Sequence, residues 1–142
     1  MFLGEYEYKV DNKGRLPLPP KFRPELGAEL MLTKGAEKCI VVYPAAEWRK
    51  LADTLAPRAV PSSKLRKLNR SIFGTAFSLS LDGQGRIALP ALLHHYAEIG
   101  DTAIVVGLNN YIEVWNPSLW NLEKAATEEQ VWQIIESLEA QQ

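Results

Sequence analysis

Polar and apolar residues alternate over Glu5-Tyr6-Glu7-Tyr8-Lys9-Val10, with Tyr6, Tyr8 and Val10 on one face. They alternate again over Phe77-Ser78-Leu79-Ser80-Leu81. A period of two marks a half-buried strand. An offset of 71 residues sets Tyr6 on Phe77, Tyr8 on Leu79 and Val10 on Leu81, so the same face is predicted to be buried twice. The residues that follow also repeat: DNKGRLPLP at Asp11–Pro19 and DGQGRIALP at Asp82–Pro90. Asp11/Asp82, Gly14/Gly85, Arg15/Arg86, Leu18/Leu89 and Pro19/Pro90 match in place, and Leu16/Ile87 is conservative.

Both copies then run through a short, helix-compatible stretch to Leu26-Gly27 or Ile99-Gly100, where the offset has grown to 73. Two apolar runs follow in each copy. In the first, Leu30-Met31-Leu32 and Cys39-Ile40-Val41-Val42-Tyr43 flank the turn Lys34-Gly35-Ala36-Glu37. In the second, Ala103-Ile104-Val105-Val106 and Tyr111-Ile112-Glu113-Val114-Trp115 flank Gly107-Leu108-Asn109-Asn110. Each pair predicts a β-hairpin. Pro44 and Pro117 then align, each opening a helix at a position where proline is tolerated.

Each copy thus reads strand, Gly-Arg turn, strand, short helix, hairpin, helix. A unit of roughly 45 residues is too small to build a core alone, so two copies must pack together or with copies from other chains. Between them, Pro61 and Ser62-Ser63 start a helix and Gly74 ends it, with Leu65, Leu68 and Ile72 on one face. Near the end, Thr127-Glu128-Glu129-Gln130 has the form of a capping box. Val131, Ile134, Ile135 and Leu138 then form an apolar stripe. That stripe fits either packing on the chain's own body or a subunit contact. The expected class is mainly β with short helices (α+β). Its units are 5–47, 76–119, a basic linking helix at 58–74 and a helical tail at 120–142.

Composition narrows the class. At 142 residues, 46% hydrophobic and 23% charged, the chain reads as ordinary and globular. No apolar run approaches the roughly 20 residues of a membrane span. Met1-Phe2-Leu3-Gly4-Glu5 shows no basic-then-apolar leader, so no signal peptide is expected. The single cysteine, Cys39, fits a reducing cytosol. Net charge is only −1, but it is unevenly spread. Residues 111–142 hold six acids and one base, a net of −5, which leaves +4 on residues 1–110. Arg58, Lys64, Arg66, Lys67 and Arg70 form a run with no acid. A basic body and an acidic tail follow, and the tail could hold an anionic partner to one face.

No catalytic set is found, and neither an enzyme nor a cofactor is expected. His94-His95 is too small a cluster for a metal site. Gly83-Gln84-Gly85 lacks the lysine of a phosphate loop. Trp115, Trp120 and Trp132 suit core or interface better than base stacking. In D-x-x-G-R the glycine permits positive φ, and the aspartate can cap the turn or face the arginine. One copy could be turn architecture alone. Turn chemistry does not require arginine twice, whereas two guanidinium forks suit a repeating anion or guanine edges.

At this point the sequence resembles the MraZ family of bacterial transcriptional regulators, built from two AbrB-like (SpoVT-AbrB) half-domains. The resemblance rests on Gly4-Glu5-Tyr6, Asp11 with Lys13-Gly14-Arg15, Leu18-Pro19 and Lys21-Phe22-Arg23. In the second half it rests on Gly85-Arg86-Ile87, Leu89-Pro90, Val105-Val106-Gly107 and Ile112-Glu113-Val114-Trp115. It spans about Met1 to Trp120; Tyr8 stands where many relatives have histidine. The resemblance implies a duplicated, swapped-hairpin barrel with a pseudo-two-fold axis inside one chain, and a ring-shaped homo-oligomer. It implies a cytoplasmic, nucleoid-associated regulator that binds double-stranded DNA at short direct repeats in the promoter of the division and cell-wall gene cluster. Carried over by position, Asp11–Arg15 and Asp82–Arg86 are the DNA-contacting motifs. Arg15 and Arg86 are then expected to read bases, Lys9, Lys13, Lys21 and Arg23 to contact phosphate, and Asn12 and Gln84 to assist at the turns. The alternatives are an antitoxin-like autoregulator of the same fold and a structural ring protein.

Overall fold

The computed structural model describes residues 1–55 and 62–141. The elements alternate as the repeat predicts. The first copy supplies β1 (Phe2–Lys9), β2 (Arg15–Pro17), α1 (Arg23–Leu26), β3 (Leu30–Lys34), β4 (Ile40–Pro44) and α2 (Ala45–Thr54). After α3 (Ser63–Ile72), the second copy supplies β5 (Phe77–Leu79), β6 (Arg86–Ala88), α4 (Ala91–Tyr96), β7 (Thr102–Asn109), β8 (Ile112–Trp115) and α5 (Pro117–Glu139).

Six strands form one antiparallel sheet in the order β1-β7-β8-β4-β3-β5, and β2 pairs with β6 in a separate ribbon. Exchanging the copies maps β1 onto β5, β7 onto β3 and β8 onto β4, so the sheet order reads the same from both ends. The copies are therefore interlocked. β1 of the first pairs with the hairpin strand β7 of the second, and β5 of the second pairs with β3 of the first. Register follows the symmetry in detail. Tyr6 faces Val105 and its counterpart Phe77 faces Leu32; Tyr8 faces Ala103 and its counterpart Leu79 faces Leu30. The pseudo-axis passes between β4 and β8, where Val41 opposes Glu113, and through the ribbon, where Leu16 opposes Ile87.

The main core lies between sheet and ribbon. Leu16, Leu18, Ile87 and Leu89 on the ribbon side share one buried cluster with Leu30, Leu32, Val42, Val105, Ile112 and Val114 of the sheet. Tyr6, Tyr8, Val10, Phe77, Leu79 and Leu81 all pack against it, as the alternation predicts. Each fully buried leucine or isoleucine contributes about 1.5–3 kcal/mol. A single copy could not assemble that core, because every layer draws on both. A second apolar layer covers the outer face of the sheet: Cys39, Val41, Val106 and Trp115, with Tyr111, Leu119 and Trp120 against them. The thiol of Cys39 is pushed up by burial and by the neighbouring Glu113 carboxylate.

Several expectations need correction. The β7–β8 turn is tighter than Gly107–Asn110. Gly107 lies inside β7 opposite Gly4, and Leu108 donates across a two-residue turn to the carbonyl of Tyr111 at 2.9 Å. Asn109 takes φ 72° there, a conformation asparagine tolerates better than most residues. Pro44 is the cap of α2 rather than its first residue. The capping-box reading at Thr127 fails, since α5 runs unbroken through it and the Thr127 hydroxyl donates to the Glu123 carbonyl at 2.8 Å. The helix starts instead at Asn116, whose side chain accepts from Ser118 and Leu119. Nor does the stripe pack on the chain's own body: Ile134 and Leu138 are exposed, and so is Trp132. For the linking helix, the Ser62 hydroxyl caps α3 by accepting from Leu65, while Arg58 and Pro61 lie outside the described residues. No helix among the described residues is long and apolar enough to cross a membrane.

Candidate nucleic-acid interface

Each D-x-x-G-R segment folds into the same closed turn. Asp11 Oδ1 accepts from the amides of Lys13 and Arg15, both at 2.9 Å, and Oδ2 accepts from Arg15 Nε at 2.6 Å. Asp82 Oδ1 likewise accepts from Gln84 and Arg86 at 2.9 Å, and Oδ2 from Arg86 Nε at 2.8 Å. The backbone closes each loop in two places: Gly14 onto Asp11 and Asp11 onto Arg15, Gly85 onto Asp82 and Asp82 onto Arg86. Gly14 and Gly85 both sit at φ 74°, where a Cβ would be strained. The repeated glycine, aspartate and arginine thus each have a defined task in the turn.

The carboxylates stay ionised in consequence. The Arg15 amide, the Arg15 side chain and the Lys13 amide hold Asp11 below the ordinary aspartate value of 3.8. The Arg86 and Gln84 amides, with the Arg86 side chain, do the same for Asp82. Binding Nε to aspartate fixes each guanidinium plane and leaves its terminal Nη groups as donors. A fork held in this way can meet two acceptors at once.

The ribbon brings the two turns together. Leu18 donates to the Gly85 carbonyl at 3.1 Å, and Leu89 donates to the Gly14 carbonyl at 2.9 Å. Arg86 Nη1 lies 3.7 Å from Asp11 Oδ2, so the second arginine leans on the first aspartate. Pro17 fits because the ribbon has only two strands, and the donor it lacks would point outward. Asn12, Lys13 and Gln84 are exposed at the turn tips, and Lys9 and Lys21 are exposed beside the first.

Arg23 differs from this group. Its Nε and Nη2 donate to the Leu18 carbonyl at 3.1 and 3.0 Å, and a Cβ built on Gly85 would collide with its guanidinium. It is a half-buried brace across the second turn. The only sequence signal was the repeat itself, in which Arg23 falls opposite His94 at the 71-residue offset, so the brace exists on one side alone. Glu5 was also missed as a tether: its carboxylate accepts from Trp120 Nε1 at 3.3 Å and Lys124 Nζ at 3.1 Å, pinning the start of α5 to β1.

Comparison with known proteins finds the same family on both halves. The family model described as "MraZ protein, putative antitoxin-like" matches residues 1–68 and 72–135. The chain belongs to the MraZ family. A relative named Transcriptional regulator MraZ from Dehalococcoides mccartyi strain BAV1 is 54% identical over 140 residues, 98% of this chain and 99% of that one. A MraZ regulator from Roseiflexus castenholzii is 42% identical over 120 residues, 84% of each chain. Another from Halothermothrix orenii is 38% identical over 139 residues, covering 98% and 97%. Among the described residues, no group of three or more histidines, cysteines or acids is placed to hold a metal ion.

Proposed function

We propose that the chain is a transcription regulator that binds double-stranded DNA through its two Asp–Arg turns, presented side by side on the β2–β6 ribbon. The names of its relatives support the regulatory role. The arrangement that carries the DNA reading is the paired turn, with Arg86 Nη1 3.7 Å from Asp11 Oδ2 and both guanidinium planes fixed by carboxylates. Each half-domain, 5–47 and 76–119, contributes one turn. Asp11 and Asp82 position; Arg15 and Arg86 read guanine edges. Lys9, Lys13 and Lys21 neutralise phosphates, Asn12 and Gln84 assist at the tips, and Arg23 steadies the second turn from within while its charge faces the same ribbon.

One arginine paired to one guanine supplies about 1–3 kcal/mol of discrimination, too little to select a genomic site. Assembly of several chains into a ring that spans successive promoter repeats would multiply it, by roughly 10²–10⁴ when the spacing fits. The protein would then act in the cytoplasm, on the nucleoid, at repeats upstream of the division and cell-wall genes. The test is anisotropy on a labelled promoter fragment across a salt series, comparing wild type with the Arg15→Ala, Arg86→Ala double variant. Light scattering first establishes that both assemble alike. Loss of sequence-specific binding in the variant alone supports the reading. Equal binding by both, or by neither, sinks it and favours a structural ring whose repeated turns are architecture only.

A further inference from the structure

Helix α5 spans 23 residues, about 34 Å at the usual helical rise. Among the described residues, its first turns meet the body: Leu119 and Trp120 pack on the outer face of the sheet, and Lys124 reaches Glu5. Beyond Lys124 the side chains are exposed, with Val131 alone half-buried. That stretch carries Val131, Ile134, Ile135 and Leu138 at i, i+3, i+4, i+7, one continuous stripe, with Ile134 52% and Leu138 58% exposed. Glu128, Glu129, Glu136 and Glu139 surround it with no base from 125 to 142. A helix that continues unbroken away from its own sheet cannot fold back to cover this stripe.

The same chain holds a complementary surface. Where α2 and α3 cross the outer face of β3 and β4, Leu51, Leu68 and Ile72 line a groove of about 460 Å³ floored by Val41 and Tyr43. Leu68 is 47% exposed there. Lys34 also lines the groove, its ammonium 5.1 Å from the centre of the Tyr96 ring. Helix α3 carries Lys64, Lys67 and Arg70, all exposed, and no acid.

We propose that the C-terminal half of α5 docks, through Val131, Ile134, Ile135 and Leu138, into the α2–α3 groove of a second copy of this chain. The inference rests on the assembly part of the function proposed above and supplies its interface. Charge selects the partner surface. Two α5 tails laid side by side would bring four glutamates against four, whereas α3 offers cations to the same helix. Stripe and groove are different surfaces, so the contact is heterologous and propagates from chain to chain until rotation closes a ring.

Light scattering and sedimentation of the full-length chain, without DNA, test this. The tail variant is Ile135→Asp with Leu138→Asp; the groove variant is Leu68→Asp. Circular dichroism establishes that each is folded. Each variant alone is expected to assemble at least tenfold more weakly than wild type. Mixed in equal amounts they should form one-to-one dimers, because one keeps its groove and the other its tail. The charge variants Glu136→Lys/Glu139→Lys and Lys64→Glu/Lys67→Glu should each weaken assembly, and their combination in one chain should restore it. This second series decides the matter if an apolar-to-aspartate variant fails to fold. Normal assembly by the groove variant with loss in the tail variant overturns the proposal in favour of α5–α5 pairing. Normal assembly by both places the interface elsewhere and leaves the ring standing. A monomeric wild type refutes the ring itself.

Discussion

Gly14→Ala and Gly85→Ala should differ in cost although both glycines sit at φ 74°. A left-handed alanine is disfavoured by about 1–2 kcal/mol, and that strain applies to both. Around Gly14 the new methyl has room: the nearest atom is the Leu89 carbonyl oxygen, at 3.6 Å. Around Gly85 it lands on the Arg23 guanidinium, which must leave the Leu18 carbonyl. Hydrogen bonds from a charged donor are worth about 1.5–3 kcal/mol net. Arg23 is only half-buried, and water will replace part of that, so the lower end applies. The gap between the two variants is then about 1.5 kcal/mol, or roughly 3–6 °C in Tm for a chain of this size. Urea unfolding of both variants, in wild-type and Arg23→Ala backgrounds, measures it. In the Arg23→Ala background the gap should close, because there is no longer a guanidinium to displace. Equal costs in the wild-type background, or a gap that survives Arg23→Ala, would refute the brace.

The same geometry sets other outcomes. Replacing Lys13 by alanine should lower the slope of log K against log salt by about 0.9, the share of one phosphate contact, without changing which sequence is preferred. Arg15→Ala should cost more specific affinity than Arg86→Ala, since the Arg15 side chain is 35% exposed and the Arg86 side chain, leaning on Asp11, only 22%; anisotropy of the two single variants would show the order. The folded-state values of Asp11 and Asp82 are lowered, so the unfolded chain binds more protons in acid. Their stabilisation is complete above about 3.8 and is lost as pH falls through the lowered folded values; Asp11→Asn/Asp82→Asn should flatten that acid limb in a pH series of thermal melts. Glu113 has the opposite sign. Burial raises it above 4.5 while Trp115 and Cys39 donate to it, so Glu113→Gln should raise Tm at neutral pH by an amount that shrinks as pH falls through the raised value towards 4.5.

Much of this fold was legible because it is written twice. Alternation at Tyr6/Tyr8 and Phe77/Leu79, seen once, predicts only a strand; seen twice, it predicts equivalent neighbours, and the register of β1 on β7 and β5 on β3 has them. The paired turns were legible for the same reason, since aspartate, glycine and arginine each recur where one hydrogen-bonded loop needs them. The misreadings fall mostly where the repeat offers no second copy or where one residue type serves two tasks. The Thr127 segment has the right letters for a helix start, but a helix already capped at Asn116 has no reason to break there. Arg23 resembled its basic neighbours until the fold placed it over Gly85. Its task depends on a residue 62 positions away, across a pairing that local pattern does not encode. The Gly107 turn failed because glycine in a β-run marks a turn or a close approach equally well, and here β1 passes beside it.

Joining two copies in one chain does more than secure their pairing. A dimer of identical chains has two equal turns about a true two-fold, and such a reader matches inverted half-sites. In this chain the sheet and ribbon keep the two-fold, with Leu16 opposite Ile87 and Val41 opposite Glu113, and so does the internal geometry of the turns, but what surrounds each turn does not. Arg23 braces the second turn from one side only, Arg86 leans on Asp11, and the first turn carries Lys13 where the second carries Gln84. The lysines at positions 9, 13 and 21 gather on the first turn; serine, glutamine and leucine occupy 80, 84 and 92 at the second. Under the proposed function, the lysine-bearing half of the ribbon would hold backbone charge and the braced half would sit rigidly beside it. A DNA reader with such a front and back would have a direction along the duplex. A set of such readers, all facing the same way around a ring, would match sites repeated in the same direction rather than mirrored ones. On the proposed DNA reading, a divergent fused pair therefore suits the direct repeats that the family resemblance implies, while two equal turns would suit a palindrome.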